Sequence, residues 1–70
     1  MKKYRNIYYV YVREQNKKRA NWYKTFTNLS DAEEEANYIY TGKQEITIRQ
    51  AWQAEKGRTG EDIVSIYKII

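Results

Sequence analysis

The sequence predicts an α+β fold of element order ββαββ, in which an antiparallel sheet of four strands, made of two hairpins, carries one α-helix on one face. Two stretches with strand-type alternation of Tyr, Val and Ile flank one segment that has helical spacing and a strong N-terminal cap signal. The chain has 70 residues, no proline and three glycines, which favours a single compact domain over 1–70 with short connections.

The first hairpin is predicted at the start of the chain. Residues 4–13 are dense in Tyr, Val and Ile and show no helical periodicity, which is typical of a strand. The polar stretch 15–20, QNKKRA, predicts a turn, and the aromatic stretch 21–27, NWYKTFT, predicts the return strand. Because the turn contains no Asn-Gly or Asp-Gly pair, the sequence leaves the register of this hairpin open.

The helix is predicted at about residues 30–41. Ser30 is the expected N-cap, Glu33 three residues later completes a capping box, and Gly42 is the expected stop. The small alanines in the middle of the apolar stripe would let the helix lie close against a sheet. The residues that recur at this spacing are Leu29, Ala32, Ala36, Ile39 and Lys43.

The second hairpin follows the helix. In residues 45–53, EITIRQAWQ, Ile46, Ile48 and Trp52 alternate with small or polar residues, and Gln50 is the one polar member on the apolar side. The stretch AEKGRTGE supplies a glycine-containing turn, and DIVSIYKII, residues 62–70, predicts the fourth strand.

Composition argues against catalysis. The chain has no Cys and no His, so the usual nucleophile, the usual general base near neutral pH and the softest metal ligands are missing. The acids after Ser30 fit the helix dipole, and KGRTGED lacks the spacing of a phosphate-binding loop. We expect no enzyme activity, no catalytic residue, no metal, no cofactor and no small-molecule substrate.

Hydropathy indicates a protein that does not contact membranes. No apolar run approaches the roughly 20 residues that cross a bilayer, and Met1-Lys2-Lys3 leads into alternating tyrosines and not into a signal-peptide core. A cytoplasmic location is the expectation.

Charge is distributed unevenly along the chain. Residues 1–27 carry eight basic residues and one acidic residue, a net charge of +7, whereas residues 28–70 carry five basic and eight acidic residues, a net charge of −3. A basic, tyrosine-rich first hairpin therefore precedes an acidic remainder.

Alternation divides the first hairpin into two faces. We expect Tyr8, Val10 and Val12 to meet the helix together with Trp22 and Phe26, and Lys24 to sit at the sheet margin with its ammonium group in water. A slip of one residue in the pairing would reverse this assignment for the second strand. The residues expected on the opposite, open face are Arg5, Tyr9, Tyr11, Arg13 and Tyr23.

The open face and the turn form the predicted binding site. Aromatic rings can stack on bases while cations neutralise phosphates, so the sequence predicts a small non-catalytic module that binds an acidic macromolecule, with nucleic acid or a nucleoprotein complex as the first hypothesis. The predicted contact residues are Arg5, Tyr9, Tyr11, Arg13, Lys17, Lys18, Arg19, Tyr23 and Lys24.

Two alternatives stay open for the same surface. Tyr, Trp and Arg are also enriched at protein interfaces, which fits an inhibitor or adaptor that blocks an acidic protein surface by steric occlusion, as small phage and mobile-element proteins do. A homodimer is the third option, because a short chain has a small core and its acidic helix start could attract the basic hairpin of a second copy.

Overall fold

The element order is ββαββ in the computed structural model, which describes all 70 residues. The strands are β1 (Lys3–Glu14), β2 (Asn21–Phe26), β3 (Gln44–Gln53) and β4 (Thr59–Tyr67), with helix α1 (Leu29–Ile39) between β2 and β3 and a 3₁₀ turn at Glu55–Gly57. They form one antiparallel sheet in the order β2-β1-β3-β4. The predicted fold class is therefore confirmed, and the two hairpins meet through their first strands.

Helix α1 begins earlier than the sequence predicts. Asn28, not Ser30, is the N-cap: its backbone is extended and its side-chain oxygen accepts a 2.8 Å hydrogen bond from the Asp31 backbone N–H. The Asn28 amide also donates to the Asp31 carboxylate at 2.9 Å, so these two residues replace the predicted Ser30 and Glu33 pair. At 11 residues, α1 has neither the length nor the apolar character of a membrane-spanning helix, and no other α-helix is present.

The core lies between α1 and the two central strands. Ala32 and Ala36 on the helix and Val10, Ile46 and Ile48 on the sheet are fully buried. Alanine at the helix contact lets the backbone approach the sheet closely, as the predicted apolar stripe requires. Side chains at the margin enclose this cluster, among them Tyr8, Val12, Phe26, Leu29, Ile39, Tyr40 and Tyr67.

Strand β1 places its apolar residues as predicted. Tyr8, Val10 and Val12 face the helix together with Phe26. Gln50, the polar residue predicted on the apolar side of β3, donates hydrogen bonds of 3.0 Å to the Tyr8 hydroxyl and to the Arg5 carbonyl. A residue that looks misplaced in the alternation is thus satisfied by two acceptors on the neighbouring strand.

The predicted faces of Trp22 and Tyr23 are wrong. A β-bulge leaves Tyr23 without a pairing partner: Lys24 is opposite Val10, and Trp22 is opposite Tyr11. The extra residue reverses the alternation before it. Trp22 therefore lies on the face away from the helix, and Tyr23 turns towards the helix, where its hydroxyl donates to Glu35 at 2.5 Å.

The end of the sheet beyond α1 is held by one carboxylate. Asp62 on β4 accepts hydrogen bonds from the Tyr4 hydroxyl at 2.6 Å, the Lys2 ammonium at 3.0 Å and the Trp52 indole N–H at 3.2 Å. The Lys2 ammonium also lies 4.8 Å from the centroid of the Trp52 ring. These contacts join the N-terminus to β4 across β3 and replace helix packing at this end.

Enlarging the helix contact should destabilise the protein. Ala36→Leu adds side-chain volume where the helix touches the sheet, and overpacking of this kind costs about 1–3 kcal/mol of unfolding free energy. Asn37→Leu, at an exposed position of the same helix, is the matched control. Chemical denaturation of both variants checks the expectation, and equal stabilities would contradict a close helix–sheet contact.

Acid should weaken the Asp62 cluster. The hydrogen bonds from Tyr4 and then Lys2 hold the pKa of Asp62 below its ordinary value of 3.8. The ionised carboxylate therefore stabilises the fold at neutral pH, and this contribution is lost as pH falls below 3.8 through the pKa of the folded state.

Asp62→Asn should accordingly be less stable than the wild type at neutral pH, and the difference should shrink as pH falls below 3.8. Thermal melts from neutral to acid pH measure it, with Glu34→Gln on the exposed helix surface as the control. A wild-type to Asp62→Asn difference that is constant across this range would contradict the assigned role.

Candidate functional site

The candidate site is the open face, defined as the side of the sheet turned away from α1. Because facing residues in an antiparallel sheet project to the same side, the register places its side chains in two transverse rows. Across the order β2-β1-β3-β4, the first row is Trp22, Tyr11, Thr47 and Ile66, and the second row is Thr25, Tyr9, Arg49 and Ile63.

Large apolar side chains on this face remain exposed. The exposed fractions are 59% for Trp22, 51% for Ile63 and 48% for Ile66. Helix α1 packs on the other side against β1, β2 and β3, so it covers none of them. Scattered exposed residues are normal, but these lie at the ends of adjoining rows with tyrosines between them, which makes a contiguous patch.

Arg49 occupies the middle of the patch. Its guanidinium carbon lies 4.4 Å from the centroid of the Tyr11 ring, and its Nη1 lies 4.0 Å from Oε1 of Glu61. Burial, reinforced by the nearby Glu61, raises the pKa of Tyr11, so this hydroxyl stays protonated over a wider pH range. The stacked arginine and tyrosine give the patch a rigid centre that combines aromatic area with positive charge.

Two buried polar atoms at this centre have no hydrogen-bond partner within the protein. They are the Thr47 hydroxyl and the Arg49 Nε, and Thr47 is only 8% exposed. An unsatisfied buried donor or acceptor costs about 1–3 kcal/mol, and such groups in native proteins call for an explanation. Both atoms lie beneath the surface of the two rows, so they add no donor or acceptor that a partner could contact directly.

Tyr9, Tyr11 and Arg13 lie on the open face, as the sequence predicts. Arg13, however, donates to Glu45 at 3.4 Å and to the Lys17 carbonyl at 2.8 Å. Since Arg49 also has an acidic neighbour, the positive charge of the face is partly neutralised by its own strands. Aromatic and aliphatic surface therefore dominates over charge here.

Arg5 belongs to an irregular stretch of β1. Residues Arg5, Asn6 and Ile7 all lie opposite the single residue Ala51 of β3. The widened spacing forms a recess of about 270 Å³, lined by Arg5, Ile7, Tyr9, Ala51 and Glu61 among others.

A second recess, of about 600 Å³, lies at the same end of the sheet, and Glu55 is the one acidic residue that lines it. Neither brings two carboxylates together, and no group of three or more Cys, His, Asp or Glu converges in the structure.

The basic residues of the first turn form a separate surface, which we call the tip. It consists of Lys17, Lys18 and Arg19, all exposed in the loop between β1 and β2. None of the four ion pairs in the structure includes them. Their charge is therefore available to a partner, and the tip adjoins the Trp22 end of the first row because β2 begins at Asn21.

Tyr23 and Lys24 lie on the opposite side of the sheet from Tyr9, Tyr11 and Arg13. The Lys24 ammonium lies 5.4 Å from the centroid of the Phe26 ring, on the helix side. The hydrogen bond to Glu35 engages the Tyr23 hydroxyl and raises its pKa. The bulge is the physical reason for the placement of Tyr23, whereas Lys24 shares a face with Phe26 by regular alternation, as expected from the sequence. A binding role for either residue stays a prediction.

The sequence reasoning missed six members of the two rows, which are Trp22, Thr25, Thr47, Arg49, Ile63 and Ile66. Alternation in residues 45–53 already separates Thr47 and Arg49 from the apolar side, so the signal for these two was present. Ile63 and Ile66 are three residues apart and share a face only because of a second bulge at Val64. No period-two pattern reveals that pair, and Trp22 was hidden by the bulge at Tyr23 in the same way.

No family model, curated protein or solved structure matches this chain.

Proposed function

We propose that the protein is a non-catalytic binding module that uses the open face, with the tip beside it, to contact a protein partner. The observation that carries this proposal is the half-exposed set Trp22, Ile63 and Ile66 around the stacked Tyr11 and Arg49. Trp, Tyr and Arg dominate binding energy at protein interfaces because they supply large, rigid contact area.

Charge supports an acidic partner. The exposed cations Lys17, Lys18 and Arg19 adjoin the apolar patch and take part in none of the four ion pairs of the structure. Charged groups at the edge of an interface speed association and orient the partners, while the apolar centre supplies affinity. A module of this kind acts by occupying its partner's surface, which is how an occluding inhibitor or an adaptor works.

Nucleic acid is the second candidate, and the unpaired tip favours it. Contact with phosphates needs such cations, and Tyr9 and Tyr11 offer rings for base stacking. The sheet gives less support to a nucleic-acid partner. Because β1 pairs with β3 as well as with β2, the first hairpin is not a free two-stranded ribbon that could enter the major groove of DNA. A nucleic acid would therefore meet the tip and the flat face together.

Face and tip variants should separate the two candidates. For a protein partner, Tyr11→Ala combined with Trp22→Ala should weaken binding at least about tenfold, because aromatic anchors carry interface energy. Replacing Lys17, Lys18 and Arg19 together by Glu should weaken it mainly at low salt. Affinity capture from cell extract, with and without nuclease and at two salt concentrations, measures both effects.

Tyr38→Ala is the matched control, because Tyr38 is 85% exposed on the helix and lies away from the open face. Thermal melts establish that each variant is folded. Capture that is abolished by nuclease, or that responds equally to the face variant and to Tyr38→Ala, would contradict the proposed protein partner. Salt-sensitive anisotropy with oligonucleotides, lost in the tip variant, would favour nucleic acid instead.

A further inference from the structure

We propose that strand β4 pairs antiparallel with β4 of a second copy, joining two sheets into one of eight strands. Strand β4 is an outer strand of nine residues, and its outer edge has no partner within the chain. Unpaired backbone N–H and C=O groups along such an edge are a template for another strand. This inference concerns self-association and does not depend on the proposed outside partner.

The two outer edges of the sheet differ in how they are protected. β2 has six residues and carries Lys24 at its middle, and short strands with lysine are the usual defence against edge pairing. β4 is longer, has no Lys or Arg between Thr59 and Tyr67, and exposes Ile63, Val64 and Ile66. Edge pairing is therefore favoured at β4.

The faces of β4 restrict the registers in which it can pair with a second copy. Glu61, Ile63 and Ile66 lie on the open face, whereas Gly60, Asp62, Ser65 and Tyr67 lie opposite residues on the helix side. In a two-fold dimer, each facing pair must share a face. Pairing Ile63 with Val64 of the copy meets this condition, because Glu61 then faces Ile66, Asp62 faces Ser65 and Gly60 faces Tyr67. The bulge at Val64 then lies at the two-fold axis of the dimer. It therefore adjoins the same bulge of the second copy and not a regular stretch of strand.

Charge and burial support the pairing of the two β4 strands. Lys68 is the residue after β4, and in this pairing it lies opposite Thr59 of the second copy. Its long side chain can reach Glu61 of the second copy, which is the diagonal neighbour. The large fully buried side chains of one chain are only Val10, Ile46 and Ile48, and a core this small gains from added apolar burial. Two sets of Ile63, Val64 and Ile66 side by side would form one apolar strip across the dimer.

Two substitutions at opposite ends of one row test the inference. Ile63→Lys puts a charge on β4, and Thr25→Lys puts the same charge on the other outer strand, in the same row of the open face. Sedimentation over a concentration series should show a wild-type dimer. Ile63→Lys should raise its dissociation constant at least about tenfold, and Thr25→Lys should change it by less than about twofold.

A charge exchange tests whether Lys68 lies close to Glu61 of the second copy. Lys68→Glu should weaken the dimer, because the new carboxylate would lie close to the carboxylate of Glu61 in the second copy. Adding Glu61→Lys should restore the dimer, because the two charges are then opposite again. Amide hydrogen exchange of the wild type needs no variant and stays informative if one fails to fold: protection of β4 should rise with protein concentration while protection of β2 stays constant.

Three results would overturn the inference. The first is a monomer at every concentration. The second is a dimer that survives Ile63→Lys, for example one lost only when the tip charges are reversed, which would indicate contact between the tip and the acidic helix of a second copy. The third is β4 exchange that does not depend on concentration. None of them bears on capture of an outside partner, which is measured with the Tyr11 and Trp22 variants.

Discussion

A single helix of 11 residues can cover only one face of a four-stranded sheet, and the rest of the molecule follows from that limit. On the covered side, Ala32 and Ala36 bring the helix against Val10, Ile46 and Ile48. At the end of the sheet that the helix does not reach, the hydrogen bonds to Asp62 hold β1, β3 and β4 together. On the uncovered side, aromatic and aliphatic residues project from β1, β2 and β4 with no layer above them, and this is the surface that folding alone does not require.

Irregularities in the strands decide which residues reach that surface. The bulge at Tyr23 sends Trp22 outward and Tyr23 to the helix, and the bulge at Val64 aligns Ile63 with Ile66. Each bulge adds one residue and so reverses the alternation on one side of itself. As a result the open face gains a tryptophan and a second isoleucine and is less charged than the basic composition of the first hairpin indicates.

Most of the fold could be predicted from the sequence, because regular alternation and helical spacing are local signals. Tyr8, Val10 and Val12 on β1, the Ala32 and Ala36 stripe and the turn at 15–20 all follow from such patterns. The helix start was placed two residues late, since Asn28 and Ser30 are both good caps and only tertiary geometry chooses between them. The strand order and the two bulges depend on contacts between distant residues, which a single sequence does not contain. The placement of Trp22, and of Ile63 together with Ile66, on the open face was therefore out of reach.

Solution NMR of the two neighbouring aromatic residues on β2 tests the account most directly. If the helix covers one face and the bulge at Tyr23 sets the other, Trp22 ring protons should show nuclear Overhauser contacts to Tyr11 and Thr25, and Tyr23 ring protons should show contacts to the Glu35 side chain. Contacts from Trp22 to Ala36 or Ile39, with Tyr23 beside Tyr11, would place the aromatic residues on the opposite faces and remove the basis of the proposed binding surface.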